Sequence, residues 1–316
     1  MQKISSLSPG SGIGVVALGS PLSPDRLAAG LREIERRGYI PITTLNPSKY
    51  YGDHVQGFSN GSAQQRADSL HQLLDDPSVG AIVTARGGYG VLDTFSLLDF
   101  SKISAAGKAI VGISDCTALL AQSGDAIELP TIHGPTIGDL FADAQILGDE
   151  SSRDALESVD SLFRLLEDKS YRYQQSCQVI RAGSAEGPIL AGNLTMLTAL
   201  LGTKWEPNFV GKILVLEEVG EAPYRIHRMF TQLKLAGKLD ELAGLVIGRF
   251  SKCEAKIGPG FGDVLEMVIR DLIQNTAYPV LSNLPFGHWG KNVALPLGCR
   301  AAIVGSEFKT LESPLK

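Results

Sequence analysis

The first half of the chain alternates short apolar runs with capped amphipathic segments, and few folds accept that order. Residues 13–18 form an apolar run, and residues 24–37 then read as a helix. Ser23 stands at its N-cap, Pro24 suits the first turn, Gly38 closes it, and Leu27, Leu31 and Ile34 recur on one face. A second helix opens at Ser62. Gln65, three residues on, completes a capping box, and Ala67, Leu70, Leu73 and Leu74 turn inward. Residues 81–84 and 108–111 are the next strands. Strands alternating with helices predict a parallel sheet covered by helices, with ligands at the carboxyl ends of the strands.

Length and composition set the scale. A chain of 316 residues makes roughly two domains at about 150 residues each. Residues 139–185 break the alternation: they are polar and acidic, with a Ser-rich stretch at Asp149-Glu150-Ser151-Ser152 and a helix over 153–167. This divides the chain into a first domain over 1–150, a crossover over 151–185 and a C-terminal domain over 186–316. In the second half, Gly192-Asn193-Leu194 opens a helix running to 201. A strand follows over 212–216, then a helix over 223–236 closed by Gly237, then a strand over 245–247. Short apolar runs over 293–310, broken by Leu297-Gly298 and Gly305-Ser306, predict antiparallel strands. The expected fold class is α/β, with a smaller, β-rich, mixed second domain.

The hydrophobic fraction of 44% and the net charge of −5 argue against disorder and against a basic nucleic-acid-binding surface. No apolar stretch reaches the ~18 residues of a membrane span, and the N-terminus lacks a signal-peptide core. Cys116, Cys177, Cys253 and Cys299 are scattered, with no metal-ligand spacing. The composition thus points to a cytoplasmic protein with reduced thiols and no metal. The glycine count of 35 is about 11%, against an average near 7%. With no fixed period, these glycines mark many tight turns.

Two of those turns follow predicted strands. Lys108-Ala109-Ile110-Val111-Gly112-Ile113-Ser114-Asp115 runs an apolar strand into Gly-x-Ser, with a helix starting at once. That is the setting of a nucleophile elbow, with Asp115's own N–H as an oxyanion donor. The second elbow glycine is absent, because Cys116 stands there. The plain structural alternative, Ser114 as a helix N-cap, is the commoner use of such a serine. Thr84-Ala85-Arg86-Gly87-Gly88-Tyr89-Gly90 follows another strand and lets backbone approach a ligand closely. It is not a dinucleotide fingerprint, since Asp93 occupies the third glycine's place. No phosphate loop occurs, since Gly107-Lys108 is followed by Ala109.

A serine nucleophile needs a base and an orienting carboxylate. Of the five histidines, His54 lies in a polar loop, His71 on a surface helix, His133 in a short Thr-Ile-His-Gly-Pro segment and His227 in mid-helix. His288 sits in the glycine-flanked loop Leu284-Pro285-Phe286-Gly287-His288-Trp289-Gly290, the kind of place that carries catalytic groups. Glu217 and Glu218 end a strand whose alternation would aim only one of them into a site. Sequence spacing alone does not bring positions 114, 217 and 288 together.

Six motifs in order resemble the serine-type LD-carboxypeptidases, the muramoyltetrapeptide carboxypeptidases grouped with microcin-resistance peptidases. They are Arg86-Gly87-Gly88-Tyr89-Gly90, Gly112-x-Ser114-Asp115-x-Thr117-Ala118, His133-Gly134-Pro135, Gly192-Asn193-Leu194, Leu216-Glu217-Glu218-Val219-Gly220-Glu221-x-Pro223-Tyr224-Arg225 and Leu284-Pro285-Phe286-Gly287-His288. The resemblance covers about residues 13–310. It implies a flavodoxin- or Rossmann-like N-terminal domain bearing the nucleophile, a smaller C-terminal domain, a site formed between them and a homodimer. It also implies a triad of Ser114, His288 and Glu217, with backbone N–H groups of Gly88 and Asp115 as the oxyanion hole and no cofactor. Ile113 stands where many relatives carry an aromatic residue or His, and His227 where many carry an acidic one, which touches substrate detail and not the triad.

The implied reaction releases terminal D-Ala from a free, sugar-linked or UDP-linked tetrapeptide, at the bond following an L-diamino acid, in peptidoglycan recycling. Arg86, Arg225 or Lys291 would bind the substrate's terminal carboxylate, though Arg86 serves equally as a brace for its glycine loop. A microcin-resistance peptidase, cutting a peptidyl-aminoacyl nucleotide with Trp289 as an aromatic platform, is the alternative on the same triad. A non-catalytic Rossmann-like binding module is the remote one. Neither nucleic acid nor membrane is an expected partner.

Overall fold

The structure is a computed structural model and describes residues 1–44, 58–146, 150–254, 261–288 and 290–316. His54, Asp149 and Trp289 lie outside them. The chain forms two compact units: Met1–Tyr171 with Gly290–Gly298 and Ser313–Lys316, and Arg172–Trp289 with Cys299–Glu312.

In the first unit, strands β1 (Gly12–Val16), β2 (Ile40–Thr43), β3 (Val79–Thr84), β4 (Ala109–Gly112) and β5 (Thr131–His133) lie in the order β2-β1-β3-β4-β5, all parallel. This is the doubly wound, flavodoxin-like order, whose carboxyl ends hold ligands. The alternation of the sequence explains it. β1 and β4 are buried along their whole length, as strands covered on both faces must be. β2 is a half-exposed edge strand and β5 has three residues. β5 is too short to announce itself in sequence, and Pro41 interrupts the pattern of β2.

The two expected helices form at Pro24–Arg36 and Ala63–Asp75. The capping box at Ser62 is complete: its hydroxyl accepts from the Gln65 N–H at 3.1 Å, and the Ser62 N–H donates to the Gln65 side chain at 2.9 Å. Ala67, Leu70, Leu73 and Leu74 are buried, as their spacing predicts, and Arg66 is buried beside them. On the first helix the buried face differs from the apolar stripe. It is Ala29, Gly30, Glu33 and Ile34, while Leu27 and Leu31 stay half-exposed. Glu33 is tolerated inside because Arg36, Arg37 and Gln145 all donate to its carboxylate. These bonds hold its pKa below the usual carboxylate range against the opposing pull of burial, the largest single influence.

A long helix, Glu150–Glu167, also belongs to this unit. Its Ser158 and Ser161 hydroxyls accept from the Asn292 and Ala294 N–H groups at 2.9 and 3.0 Å. They hold the returning segment, which adds β12 (Leu295–Leu297) antiparallel to β5.

The second unit holds a mixed sheet of β6 (Gln174–Ser176), β7 (Gln178–Arg181), β8 (Ser184–Asn193), β9 (Ile213–Val219), β10 (Gly244–Ser251), β11 (Val280–Ser282), β13 (Arg300–Val304) and β14 (Glu307–Thr310). The order is β6-β14-β13-β8-β9-β10-β11-β7. Its centre, β8-β9-β10-β11, is parallel, and its flanks are antiparallel. The antiparallel strands expected over 293–310 exist, divided between the two sheets. Among the described residues, no helix is long and apolar enough to cross a membrane.

The capping box gives the first prediction. Ser62→Ala leaves the Gln65 N–H without its partner and lowers stability by about 1 kcal/mol, while Ser62→Asp keeps most of it. Thermal unfolding of the two variants measures the difference.

Candidate active site

In the first unit, three carboxyl-end turns converge. Ser114 follows β4 and takes φ 64°, the left-handed region, although it is not glycine. Such a conformation costs about 1–2 kcal/mol for an L-residue and persists where the surroundings dictate it. Ser114 is therefore not the N-cap. That position is Ile113, and no side chain caps the short helical turn Ser114–Cys116. Among the described residues the Ser114 hydroxyl makes no hydrogen bond, and the side chain is half-buried. This is the conformation of a nucleophile elbow. Cys116 explains the missing second glycine. It points inward, fully buried, and its thiol donates toward the Arg86 carbonyl at 4.0 Å.

The loop after β3 lies against this turn. A Cβ on Gly87 would fall 2.6 Å from the Ser114 Cβ and 3.1 Å from its Oγ. Gly87 also accepts from the Ser20 N–H, at 3.0 Å, in the turn after β1. Ser20 Oγ accepts from the Tyr89 N–H at 3.1 Å and donates to the Phe58 carbonyl at 2.5 Å. On the far side of the loop, the Asp115 carboxylate accepts from the Val91 N–H at 2.8 Å. Burial raises the pKa of Asp115, and the backbone bonds from Val91 and Gly90 pull it back. The buried Arg66 guanidinium donates to the Gly61 and Gly90 carbonyls at 2.6 and 2.9 Å. Ser20 and Arg66 did not stand out in the sequence. The one available signal was a charged residue at 66 on the inward stripe of Leu70 and Leu73.

In the second unit, β9 carries Glu217 and Glu218, both buried, with different partners. Glu217 Oε2 lies 2.6 Å from His288 Nδ1 and accepts from the His288 N–H at 3.3 Å. Gly287, at φ 122°, permits the approach, since a Cβ there would sit 2.7 Å from the Glu217 Cβ. Ser251, ending β10, donates its hydroxyl to the His288 carbonyl at 2.8 Å. Glu218 turns the other way. It accepts from the Asn193 side chain, the Thr195 N–H and the Thr195 hydroxyl, each at 2.8 Å. Burial still raises its pKa. Asn193 in turn caps the helix Leu194–Ala199 through the Met196 N–H.

Comparison with known proteins decides the family. Residues 13–134 match the model of the LD-carboxypeptidase N-terminal domain, and residues 186–303 that of the C-terminal domain. The chain belongs to the LD-carboxypeptidase family. It is a serine-type carboxypeptidase. Among its relatives, a putative carboxypeptidase of Synechocystis sp. is 36% identical over 79% of this chain and 78% of its own length. A probable murein peptide carboxypeptidase of Bacillus subtilis is 30% identical over 96% and 92%. The solved muramoyltetrapeptide carboxypeptidase of Oxalobacter formigenes superposes with a TM-score of 0.81 at 26% identity, covering 95% of this chain and 98% of that one. The microcin C7 self-immunity protein of Escherichia coli is 26% identical over 94% and 91%.

The remaining sequence candidates of this LD-carboxypeptidase family member separate by environment. Arg86 is exposed, and among the described residues its one hydrogen bond is a 3.5 Å contact to the Pro21 carbonyl. Arg225 is exposed between the Tyr224 hydroxyl and Glu221, 3.4 and 3.5 Å away. Lys291 pairs with Glu157 at 2.7 Å. His71 Nε2 accepts from the Asp99 N–H at 3.1 Å, His133 is buried in β5, and His227 is half-buried on the helix Pro223–Leu235.

Two predictions follow from this geometry. Gly287→Ala forces a Cβ into Glu217 at a φ that disfavours L-residues. It should cut kcat/KM by ~10²-fold or more through displacement of His288, as steady-state kinetics would record. The thiols should be inert. Burial pushes Cys116 up to about 12, and Cys177 and Cys253 up to about 11. Iodoacetamide at mildly alkaline pH should leave the intact mass of the native protein unchanged and modify it only after unfolding.

Proposed function

We propose that this protein is an LD-carboxypeptidase that removes terminal D-Ala from murein tetrapeptides. Ser114 is the nucleophile, His288 the base and Glu217 its orienting carboxylate. The observation that carries the reading is the 2.6 Å contact between Glu217 and His288 Nδ1. With Nδ1–H donated to a buried carboxylate, the lone pair is left on Nε2, the tautomer a general base requires. The strained Ser114, whose hydroxyl makes no hydrogen bond among the described residues, supports the nucleophile's role.

The reaction runs in two halves. Ser114 Oγ attacks the carbonyl carbon of the L-centre as His288 Nε2 takes its proton. The tetrahedral oxyanion is held by the N–H groups of Gly88 and Asp115. The C–N bond breaks, His288 returns the proton to the departing amine, and D-Ala leaves. A water then attacks the acyl ester, giving its proton to His288, and Ser114 Oγ departs with that proton to release the shortened peptide. Arg86 is the favoured partner of the terminal carboxylate, because Lys291 and Arg225 already have acidic partners. The relatives named murein peptide and murein tetrapeptide carboxypeptidases support the substrate class, and a place in cytoplasmic peptidoglycan recycling and the homodimer implied by the family are part of the same reading.

The likeness to a microcin C7 self-immunity protein favours a second reading, a peptidase acting on a peptidyl-aminoacyl nucleotide. One assay separates the two. The protein is incubated with free, sugar-linked and UDP-linked tetrapeptides and with an aminoacyl-nucleotide mimic, and D-Ala and aminoacyl release are measured. D-Ala release is expected from a tetrapeptide, and Ser114→Ala should lower kcat by at least ~10³-fold. Release from the nucleotide mimic alone would overturn the first reading.

A further inference from the structure

The oxyanion hole assigned above has its two donors on different segments. Gly88 N–H lies on the loop after β3, and Asp115 N–H on the turn after β4. A hole of this kind works only if the spacing of its donors is set before the substrate arrives. Neither donor is fixed by a strand. Gly88 lies four residues beyond the end of β3, and Asp115 three beyond the end of β4.

Two buried charges close that gap. The Asp115 carboxylate, 7% exposed, reaches back to the glycine loop and accepts from the Val91 N–H at 2.8 Å. Arg66, 1% exposed, holds the same stretch through the Gly90 carbonyl at 2.9 Å and ties it to Gly61 at 2.6 Å. Asp93 lies 3.7 Å from the guanidinium, and the charges of Arg66 and Asp115 act on one another. Two buried charges grip one peptide group, the link between Gly90 and Val91, from its two sides: Asp115 takes its N–H and Arg66 its C=O. Burying charge is costly unless it is bonded in this way.

We propose that the side chains of Asp115 and Arg66 are positioning residues that set the spacing of the two oxyanion donors. Asp115 then has two roles, giving its own N–H to the oxyanion and fixing the distance to the other donor through its carboxylate. This inference rests on the proposed Ser114 chemistry.

The test compares Asp115→Asn, Asp115→Ala and Arg66→Lys by three measurements: kcat and KM for D-Ala release, the rate at which a fluorophosphonate labels Ser114, and thermal unfolding. Ser114 Oγ displaces fluoride from the fluorophosphonate's phosphorus as its proton passes to the base, and the phosphoryl oxygen, which gains negative charge during the attack, sits in the oxyanion hole without any peptide. Misplacing one donor costs roughly 10²-fold. Asp115→Ala is therefore expected to lower kcat and the labelling rate together by about that factor, with KM within about twofold. Asp115→Asn, whose amide oxygen still accepts from Val91, should recover most of the loss. Arg66→Lys cannot grip both carbonyls in the same geometry and should lower both rates. It carries the test if Asp115→Ala does not fold. Unchanged kcat and labelling in the folded variants overturn the proposal, as does an equal loss in Asn and Ala. If the wild-type protein labels at Ser114 but releases no D-Ala, the substrate reading fails while this inference stands on the labelling rates. If it does not label, both fail.

Discussion

The constraint on which the first unit depends is the close approach of backbone at the carboxyl ends of β1, β3 and β4. Gly87 lies so near Ser114 that a single added carbon would collide with it, and the turn after β1 holds the Gly87 carbonyl from the other side. The left-handed Ser114 is a consequence. A strained serine persists only where the chain on both sides is fixed, and here the fixing is done by neighbouring turns rather than by the serine's own side chain. That leaves the hydroxyl available for chemistry.

The second unit reaches a similar result with carboxylates. Two adjacent glutamates end one strand, and both are buried, an arrangement that is costly unless each finds its own partners. Glu218 is satisfied by Asn193 and Thr195 and so anchors the helix that follows β8. Glu217 is given to His288, approached across a glycine that has no Cβ to obstruct it. The pair finds different partners by pointing to opposite faces of one sheet, as the pleat requires.

Much of this is legible in the sequence alone. The capping box at Ser62, the inward stripe after it, β1, β3, β4, β9 and β10 and the glycine loop all follow from local rules of period, capping and turn chemistry, whereas β8, the longest strand, is not read as one. The residues that escaped are those whose roles are non-local. Arg66 reads as one more polar residue on a helix until Gly61 and Gly90 close around it. Ser20 is a plain turn serine until Tyr89 and Phe58 bond to it. The stripe of the first helix misled for the same reason: its buried face is chosen by what packs there, including a glutamate rescued by two arginines. Strands such as β5 and β12, three residues each, have too little pattern to be seen without their neighbours.

The sequence by itself determined an alternation of strand and helix, hence a parallel sheet covered by helices, and it placed glycines and a serine in the turns after β3 and β4, because periodicity and backbone freedom are properties of short stretches. Six ordered motifs also fixed the family. Only the tertiary structure decided that Ser114 is an elbow and not a helix cap, since its φ is imposed by turns distant in sequence. Only register and the glycine at 287 decided which of two adjacent glutamates meets the histidine, because that choice is made by residues some seventy positions away, across the sheet.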